Sequence, residues 1–302
     1  MTDTSHATLT PYTLGLLLLP PLLWAGNFIA GRAVSHEVPP VALSLIRWGL
    51  AFLCLLPFAI KPFLRDRVHY LNYRWHVLGT AMTGVLAFNL MVYWGLHSTS
   101  ATNGIILNSF IPFLVAIFGG LFYQQRLSTR QLLGLLISLI GVLTVVSHGD
   151  IQVLRSLAFA PGDMIIFVAM ICWALFTLWL KQIPVFVDRT GLMLCQVLIA
   201  LILLLPLYIW EKQTAVTTVD HVQTVWSLLY IGIFPSVIAF LAYAKAVTLV
   251  GSVRASVFIH AMPIFGSLLS SVLLSEPFHG YQLAGMLTIF CGIGLANTGK
   301  PH

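Results

Sequence analysis

The stretch GLHSTSATNGIILNSFIPFLVAIFGGLFYQQRLSTRQLLGLLISLIGV (Gly95–Val142) decides the reading, because the chain contains it twice. Its landmarks return 151 residues on (112 to 263): Pro112 falls on Pro263, Gln131 on Gln282, Leu132 on Leu283, Gly134 on Gly285 and Gly141 on Gly292. Each copy runs through an apolar helix with a mid-helix proline, a short polar break, then Gln-Leu-x-Gly and a second apolar helix. Upstream, Trp24-Ala25 answers Trp173-Ala174 (24 to 173). A repeat of this size fixes the architecture before any local assignment. The expected units are residues 1–149 and 150–302.

Composition sets the class. Hydrophobic residues make up 59% of the 302 residues and charged ones only 8%, and mean hydropathy is +0.94. A water-facing surface needs roughly three times that charge. Apolar runs long enough to cross a bilayer recur throughout, each near the ~20 residues a spanning helix requires. Ten spans are read: Thr13–Ser35, Val41–Ile60, Trp75–Leu96, Thr102–Tyr123, Arg130–Ser147, Asp163–Lys181, Thr190–Trp210, Gln223–Ala246, Ser252–Leu274 and Tyr281–Thr298. A basic loop is expected at 61–74, and 148–162 forms the joint between the halves. The four cysteines lie inside apolar runs without metal-ligand spacing and read as core residues. The net charge of +6 is scattered beside apolar runs, which fits a membrane surface rather than nucleic acid.

Five spans per half is an odd number, so the second half lies inverted relative to the first. Charge tests this. With the N-terminus inside, Lys61, Arg65, Arg67, Arg74, Arg126, Arg130, Lys181, Arg189, Lys245, Arg254 and Lys300 are cytoplasmic, against only Arg32, Arg155 and Lys212 outside. Arg126 and Arg130 match Pro277 and Tyr281, while Trp94 and Asn103 match Lys245 and Arg254. Whichever copy faces the cytoplasm carries the charge. The fold class is therefore all-α integral membrane, with ten transmembrane helices as two inverted five-helix repeats and both termini cytoplasmic. Such repeats are a transporter device, with substrate near the midplane between halves that rock.

Trp24-Ala25-Gly26-Asn27-Phe28, the block ending in Gln-Leu-x-Gly and Gly141-Val142, and its second copy with Leu274-Ser275-Glu276-Pro277-Phe278 resemble the drug/metabolite transporter superfamily, in its EamA-type ten-helix exporters. Among those the chain resembles exporters of aromatic and neutral amino acids. The resemblance implies export of amino acids and related small metabolites across a bacterial-type cytoplasmic (inner) membrane. Where that family often has an acidic residue after helix four, this chain has Gln125, leaving Glu276 as its counterpart in the second copy.

Polar groups inside apolar runs tend to face a cavity or a partner helix. Those read as substrate-binding are Trp24 and Asn27, Asn89 and Tyr93, Asn103 and Asn108, Trp173 and Thr177, Tyr243, Ser256 and His260. The cavity is expected between helices one, three, four, six, eight and nine. Each residue has a plainer reading: interface packing for the tryptophans, water-facing helix ends for Asn103 and Tyr243, interhelical bonding for Asn108 and His260. Pro112 and Pro263 each free a backbone carbonyl. Arg47 needs a partner, and helix-end carbonyls are expected to supply it rather than substrate. A neutral aromatic pocket suits a zwitterionic amino acid, through cation–π contact with its ammonium and polar donors for its carboxylate.

Other classes fit poorly. His36-Glu37 lacks the second histidine of a metalloprotease motif, no Gly-x-Ser-x-Gly occurs, and no phosphate-binding loop is present. No enzyme activity, cofactor or metal is expected. The partners are a small-molecule substrate and the lipid bilayer, with no nucleic acid and a monomeric state. Carriage of other metabolites or drugs, or a channel, are the alternatives; a channel would favour charged rings or filter loops, which the chain lacks.

Overall fold

Among the described residues, ten long helices follow one another along the chain. The structure, a computed structural model, describes residues 10–35, 37–99, 101–155, 160–215, 217, 219, 221–273 and 279–298. Glu276 and Lys300 lie outside the described residues, as does His36. The spans are α1 (Pro11–Val34), α2 (Pro40–Asn72), α3 (Arg74–Leu96), α4 (Ala101–Asn108 with Ile111–Tyr123), α5 (Thr129–Val146), α6 (Pro161–Gln182), α7 (Arg189–Glu211), α8 (Val222–Val250), α9 (Ser252–Val257, Phe258–Ala261 and Met262–Leu273) and α10 (Gly280–Thr298). The first nine carry segments long and apolar enough to cross a membrane. The tenth is diluted by Gln282, Thr288, Asn297 and Thr298. Below, the near face is the one where α1 begins and the far face the one where it ends.

The recurring motif has a local cause. Ser128 caps α5: its hydroxyl accepts from the Gln131 amide at 3.3 Å, and Gln131 Oε1 accepts from the Ser128 amide at 2.9 Å. In the second copy Gln282 Oε1 accepts from the His279 amide at 2.6 Å at the start of α10. Each glutamine ties down an amide that the first turn leaves without a helical partner. The glycines that follow let α5 and α10 touch backbone to backbone. A Cβ on Gly134 would sit 2.5 Å from the Gly292 carbonyl oxygen, and one on Gly141 would sit 2.8 Å from that of Gly285.

Four spans depart from regular α-helix, in two pairs at equivalent places of the repeats. α3 carries a π segment at Ala81–Ala87 and α8 another at Phe234–Ile238. In α8 the cause is Pro235, which has no N–H for the Ile231 carbonyl; the Ser236 hydroxyl takes that carbonyl instead, at 2.6 Å. In α3 the Asn89 side chain donates to the carbonyls of Gly84 and Val85, both at 3.0 Å. α4 breaks at Ser109–Phe110 ahead of Pro112, and α9 tightens to a 3-10 turn at Phe258–Ala261 ahead of Pro263.

The expected basic loop at 61–74 is helical instead. α2 runs on through Pro57 and Pro62 to Asn72, because tertiary contacts hold the extension. Asp66 accepts from the Asp188 amide at 2.8 Å, and Gly191 at the start of α7 packs closely against Phe63 and Tyr70. At the other end, Glu211 from α7 accepts from the amides of Val41 and Ala42 at 3.0 and 2.8 Å, so a carboxylate caps α2.

Candidate functional site

The site forms where the two broken helices and the two π segments converge. Trp24 and Trp173, equivalent positions of the two repeats, meet edge to face with ring centroids 5.0 Å apart and planes at 87°. Phe240 packs against both, at 6.0 and 5.2 Å. Trp24 Nε1 donates to the Pro235 carbonyl at 3.1 Å, a group exposed by the α8 π segment. The Trp173 indole N–H is buried and makes no well-formed hydrogen bond, only a weak contact with the Tyr243 hydroxyl.

Around this aromatic core lies a narrow cavity. Its wall comes from α1 (Trp24, Asn27, Phe28), α2 (Arg47), α3 (Phe88, Asn89, Val92, Tyr93), α4 (Asn108, Ile111), α6 (Trp173), α8 (Phe240) and α9 (Ile259, Met262). The centre of a water molecule has only about 20 Å³ to occupy, enough for one water. A small-molecule ligand therefore needs the walls to part.

Six of the eleven residues singled out from sequence line this cavity: Trp24, Asn27, Asn89, Tyr93, Asn108 and Trp173. Asn108 reaches the Met262 sulfur at 3.1 Å. Thr177 and Tyr243 stand behind the wall, bonded to each other at 3.0 Å, with the Tyr243 ring 5.4 Å from both Trp24 and Trp173. Asn103 lies toward the far face, donating to both oxygens of Asp163 at 3.1 and 3.3 Å. Ser256 bonds within its own helix, to the Val253 carbonyl at 2.8 Å. His260 is fully buried between the halves: Nε2 donates to the Ser109 carbonyl at 2.9 Å and Nδ1 meets the Ser138 hydroxyl at 2.6 Å. Both ring nitrogens are taken, so the ring offers a ligand no donor or acceptor.

Two sequence expectations change here. Helix-end carbonyls do not hold Arg47; Tyr93 and Asn27 do, because α2 packs against the second half of α3 and brings these mid-helix side chains to it. Arg47 Nη1 donates to the Tyr93 hydroxyl at 2.7 Å and to Asn27 Oδ1 at 3.4 Å, and the Tyr93 hydroxyl donates to Asn27 Oδ1 at 3.1 Å. α2 thereby joins the helices that wall the cavity. The aromatic and apolar wall residues Phe28, Phe88, Phe240 and Met262 carry no sequence signal, since nothing separates them from packing residues in an apolar run. Gln125, in place of the acidic residue, accepts from the Ser252 hydroxyl at 3.3 Å and so ties the end of α4 to the start of α9. Among the described residues no group of three His, Cys, Asp or Glu side chains could hold a metal ion.

Polar ties close the two faces between halves. At the far face Glu37 accepts from Thr224 at 2.8 Å and pairs with His221 at 2.7 Å. At the near face Asp66 meets the α6–α7 loop through the Asp188 amide. Glu37 and Asp188 occupy equivalent places in the two repeats (37 to 188).

A family model described as the EamA-like transporter family matches the chain twice, over residues 12–147 and 160–298. A protein named "Uncharacterized transporter" from Archaeoglobus fulgidus is 27% identical over 288 residues, covering 95% of this chain and 97% of that one. A Bacillus subtilis "Uncharacterized transporter YyaM" is 26% identical over 84% of this chain and 83% of its own length. A Salmonella typhimurium protein named "Probable amino-acid metabolite efflux pump" is 25% identical, with 92% of each chain covered. A solved crystal structure superposes with a TM-score of 0.73 over 94% of this chain and 96% of that one. At 16% identity that likeness concerns the fold alone.

Proposed function

This chain belongs to the EamA-like transporter family, is a multi-pass membrane transporter rather than an enzyme, and on that premise we propose that it exports neutral or aromatic amino acids and related metabolites by alternating access. The observation that carries the substrate class is the cavity wall, which joins six aromatic side chains to three asparagines and an arginine without any carboxylate. Rings accept apolar side chains and attract an ammonium group, while amide and guanidinium donors hold a carboxylate. A cationic drug would want an embedded acid. The name of the Salmonella relative points the same way.

In this mechanism residues 1–149 and 150–302 rock against each other about the Trp24–Trp173 contact. Parting the Glu37 tie opens the cavity to the far face, and parting the Asp66–Asp188 tie opens it to the near face. The protein works as a monomer in a cytoplasmic membrane with both termini inside, as the charge bias favours. Proteoliposomes loaded with labelled phenylalanine, methionine or threonine test the reading. Efflux that unlabelled amino acids compete with, and that Trp24→Ala or Asn27→Ala abolishes, supports it. Absence of transport for all three refutes the substrate class.

A further inference from the structure

Arg47 is the one cation among the cavity-lining residues, and its surroundings do not neutralise it. It is 1% exposed, two turns into α2. Its hydrogen-bond partners, the Tyr93 hydroxyl and Asn27 Oδ1, are both neutral and both engage Nη1. The guanidinium also lies 5.0 Å from the Trp48 ring centroid and 5.8 Å from that of Tyr93. Among the described residues no carboxylate comes within 4.0 Å of it, since the ion pairs involve Arg65 and His221 only. Its Nε–H is buried without any partner. An arginine cannot shed its charge, and a buried cation with neutral partners and a spare donor is costly.

A purely structural arginine would be matched by an acid or by several carbonyls. Here the matching is one-sided. Tyr93 and Asn27 grip Nη1 and so orient the plane of the guanidinium. The Nε edge is left over, and Nε with Nη2 forms the fork that fits the two oxygens of a carboxylate. A second donor, the Trp173 indole N–H, belongs to the same wall and has only a weak contact with the Tyr243 hydroxyl. A spare cationic donor edge in a largely aromatic lining calls for an anionic group on an apolar body.

We propose that Arg47 is the anion anchor of the central cavity, taking the carboxylate of the transported molecule, with Tyr93 and Asn27 as its positioning residues. The site then selects for a carboxylate and needs no ammonium, so zwitterions and simple aryl-alkanoic acids bind and monocationic amines do not. This rests on the transport reading above and narrows its substrate class.

The test uses the full-length purified protein and three probes of one shape: 3-phenylpropionate with the carboxylate alone, phenylalanine with both charges, and phenethylamine with the ammonium alone. Binding is followed by quenching of tryptophan fluorescence, with thermal unfolding as the check that each variant is folded. The wild type should bind both carboxylates at least about 10-fold more tightly than the amine, as charge-assisted bonding to one group allows. Arg47→Gln should bring that ratio to within about threefold. Arg47→Lys, which keeps the charge and loses the fork, should fall between them, and it serves alone if Arg47→Gln does not fold. Wild-type binding of the amine as tight as that of the acids, a ratio unmoved in the variants, or no binding of any probe overturns the anchor. If phenylpropionate binds through Arg47 while phenylalanine does not, the amino-acid reading fails and the anchor stands. If phenylalanine is transported and Arg47→Gln leaves the ratio intact, the anchor fails and the amino-acid reading stands.

Discussion

His260 donates from Nε2 to the carbonyl of Ser109 at 2.9 Å, and the two are the same position of the two repeats (109 to 260). Each lies three residues before a helix-breaking proline, Pro112 or Pro263. The pseudo-twofold axis of the molecule therefore passes by this bond, and the two broken helices meet there. Ser109 O can only accept, so Nε2 carries the proton, and in the neutral ring the Ser138 hydroxyl donates to Nδ1 at 2.6 Å. Replacing the ring with His260→Phe keeps its bulk and strands the Ser109 carbonyl where no water reaches, while the Ser138 hydroxyl keeps the Leu135 carbonyl at 2.9 Å. The expected loss is about 1–3 kcal/mol of stability, seen as a lowered Tm in detergent. Ser138→Ala should cost less, because it leaves the bond from His260 Nε2 to the Ser109 carbonyl in place. The double variant should fall short of the sum. Additive losses would mean that the two side chains are not coupled.

The tryptophans on either side of that axis are equivalent by sequence and unequal by bonding. Trp24→Phe removes the hydrogen bond to the Pro235 carbonyl and should destabilise by about 1 kcal/mol beyond the smaller ring. Trp173→Phe removes an N–H that makes no well-formed hydrogen bond and has only a weak contact with the Tyr243 hydroxyl, so its loss should come mainly from ring size. Comparing the two Tm values checks the asymmetry. Equal shifts would indicate that the α8 π segment gains nothing from Trp24.

Much of this fold is readable in the chain, and the limits have physical causes. The spans and the duplication show because lipid demands long apolar helices and the capping glutamines and seam glycines have few substitutes. Gln131 and Gln282 are visible as a motif for the reason that both fill the same amide-capping place. The extension of α2 past Ile60 is hidden because a charged helix outside the lipid looks like a loop to hydropathy. The π segments at 81–87 and 234–238 are hidden too, since side chains such as Asn89 and Ser236 rescue their carbonyls only once the backbone is placed. Six of the polar residues expected as ligand contacts line the cavity. Asn103 does not, because a partner carboxylate, Asp163, comes from another helix. The expectation for Arg47 fails for the converse reason: the helix ends expected to satisfy it are not near it, while α1 and α3 are.

A pH effect follows from the near-face loop. Asp188 caps α7, accepting from the Thr190 amide at 2.9 Å and the Gly191 amide at 3.4 Å. Burial pushes its carboxyl up, but the bonds from Thr190 and Gly191 and the charge of Arg65 outweigh that and hold it below the usual value of 3.8. A carboxyl depressed in the folded state adds stability above its unfolded value and loses it as pH falls through the folded one. Asp188→Asn, which keeps one capping oxygen and loses the charge, should therefore lower Tm modestly at pH 7, by well under about 1 kcal/mol given the partial exposure of the group. The gap between variant and wild type should close as pH drops below about 4. A gap that is unchanged at pH 3 would rule out the charged cap as its source.

The seam between α5 and α10 gives the sharpest structural prediction. Gly134 meets Gly292 and Gly141 meets Gly285, and since 134 corresponds to 285 and 141 to 292, each contact is the symmetry copy of the other. The opposing atoms are backbone: a Cβ on Gly292 would strike the Ser138 amide nitrogen and the Gly134 carbonyl oxygen. Backbone cannot rotate aside as a side chain can, so the helices would have to separate along their length. Gly292→Ala should thus cost more than the usual ~1–3 kcal/mol of overpacking and reduce the yield of monodisperse protein severalfold. Gly134→Ala should behave alike, with the Gly292 oxygen and Ala296 nitrogen both at 2.5 Å. Gly294, on the same helix as Gly292, faces open space, and a Cβ there would have nothing within 4 Å. Gly294→Ala should leave yield intact and gain slightly in helix propensity. Size-exclusion profiles of the three variants decide it, and a normal profile for Gly292→Ala would show that the seam yields more easily than backbone contact allows.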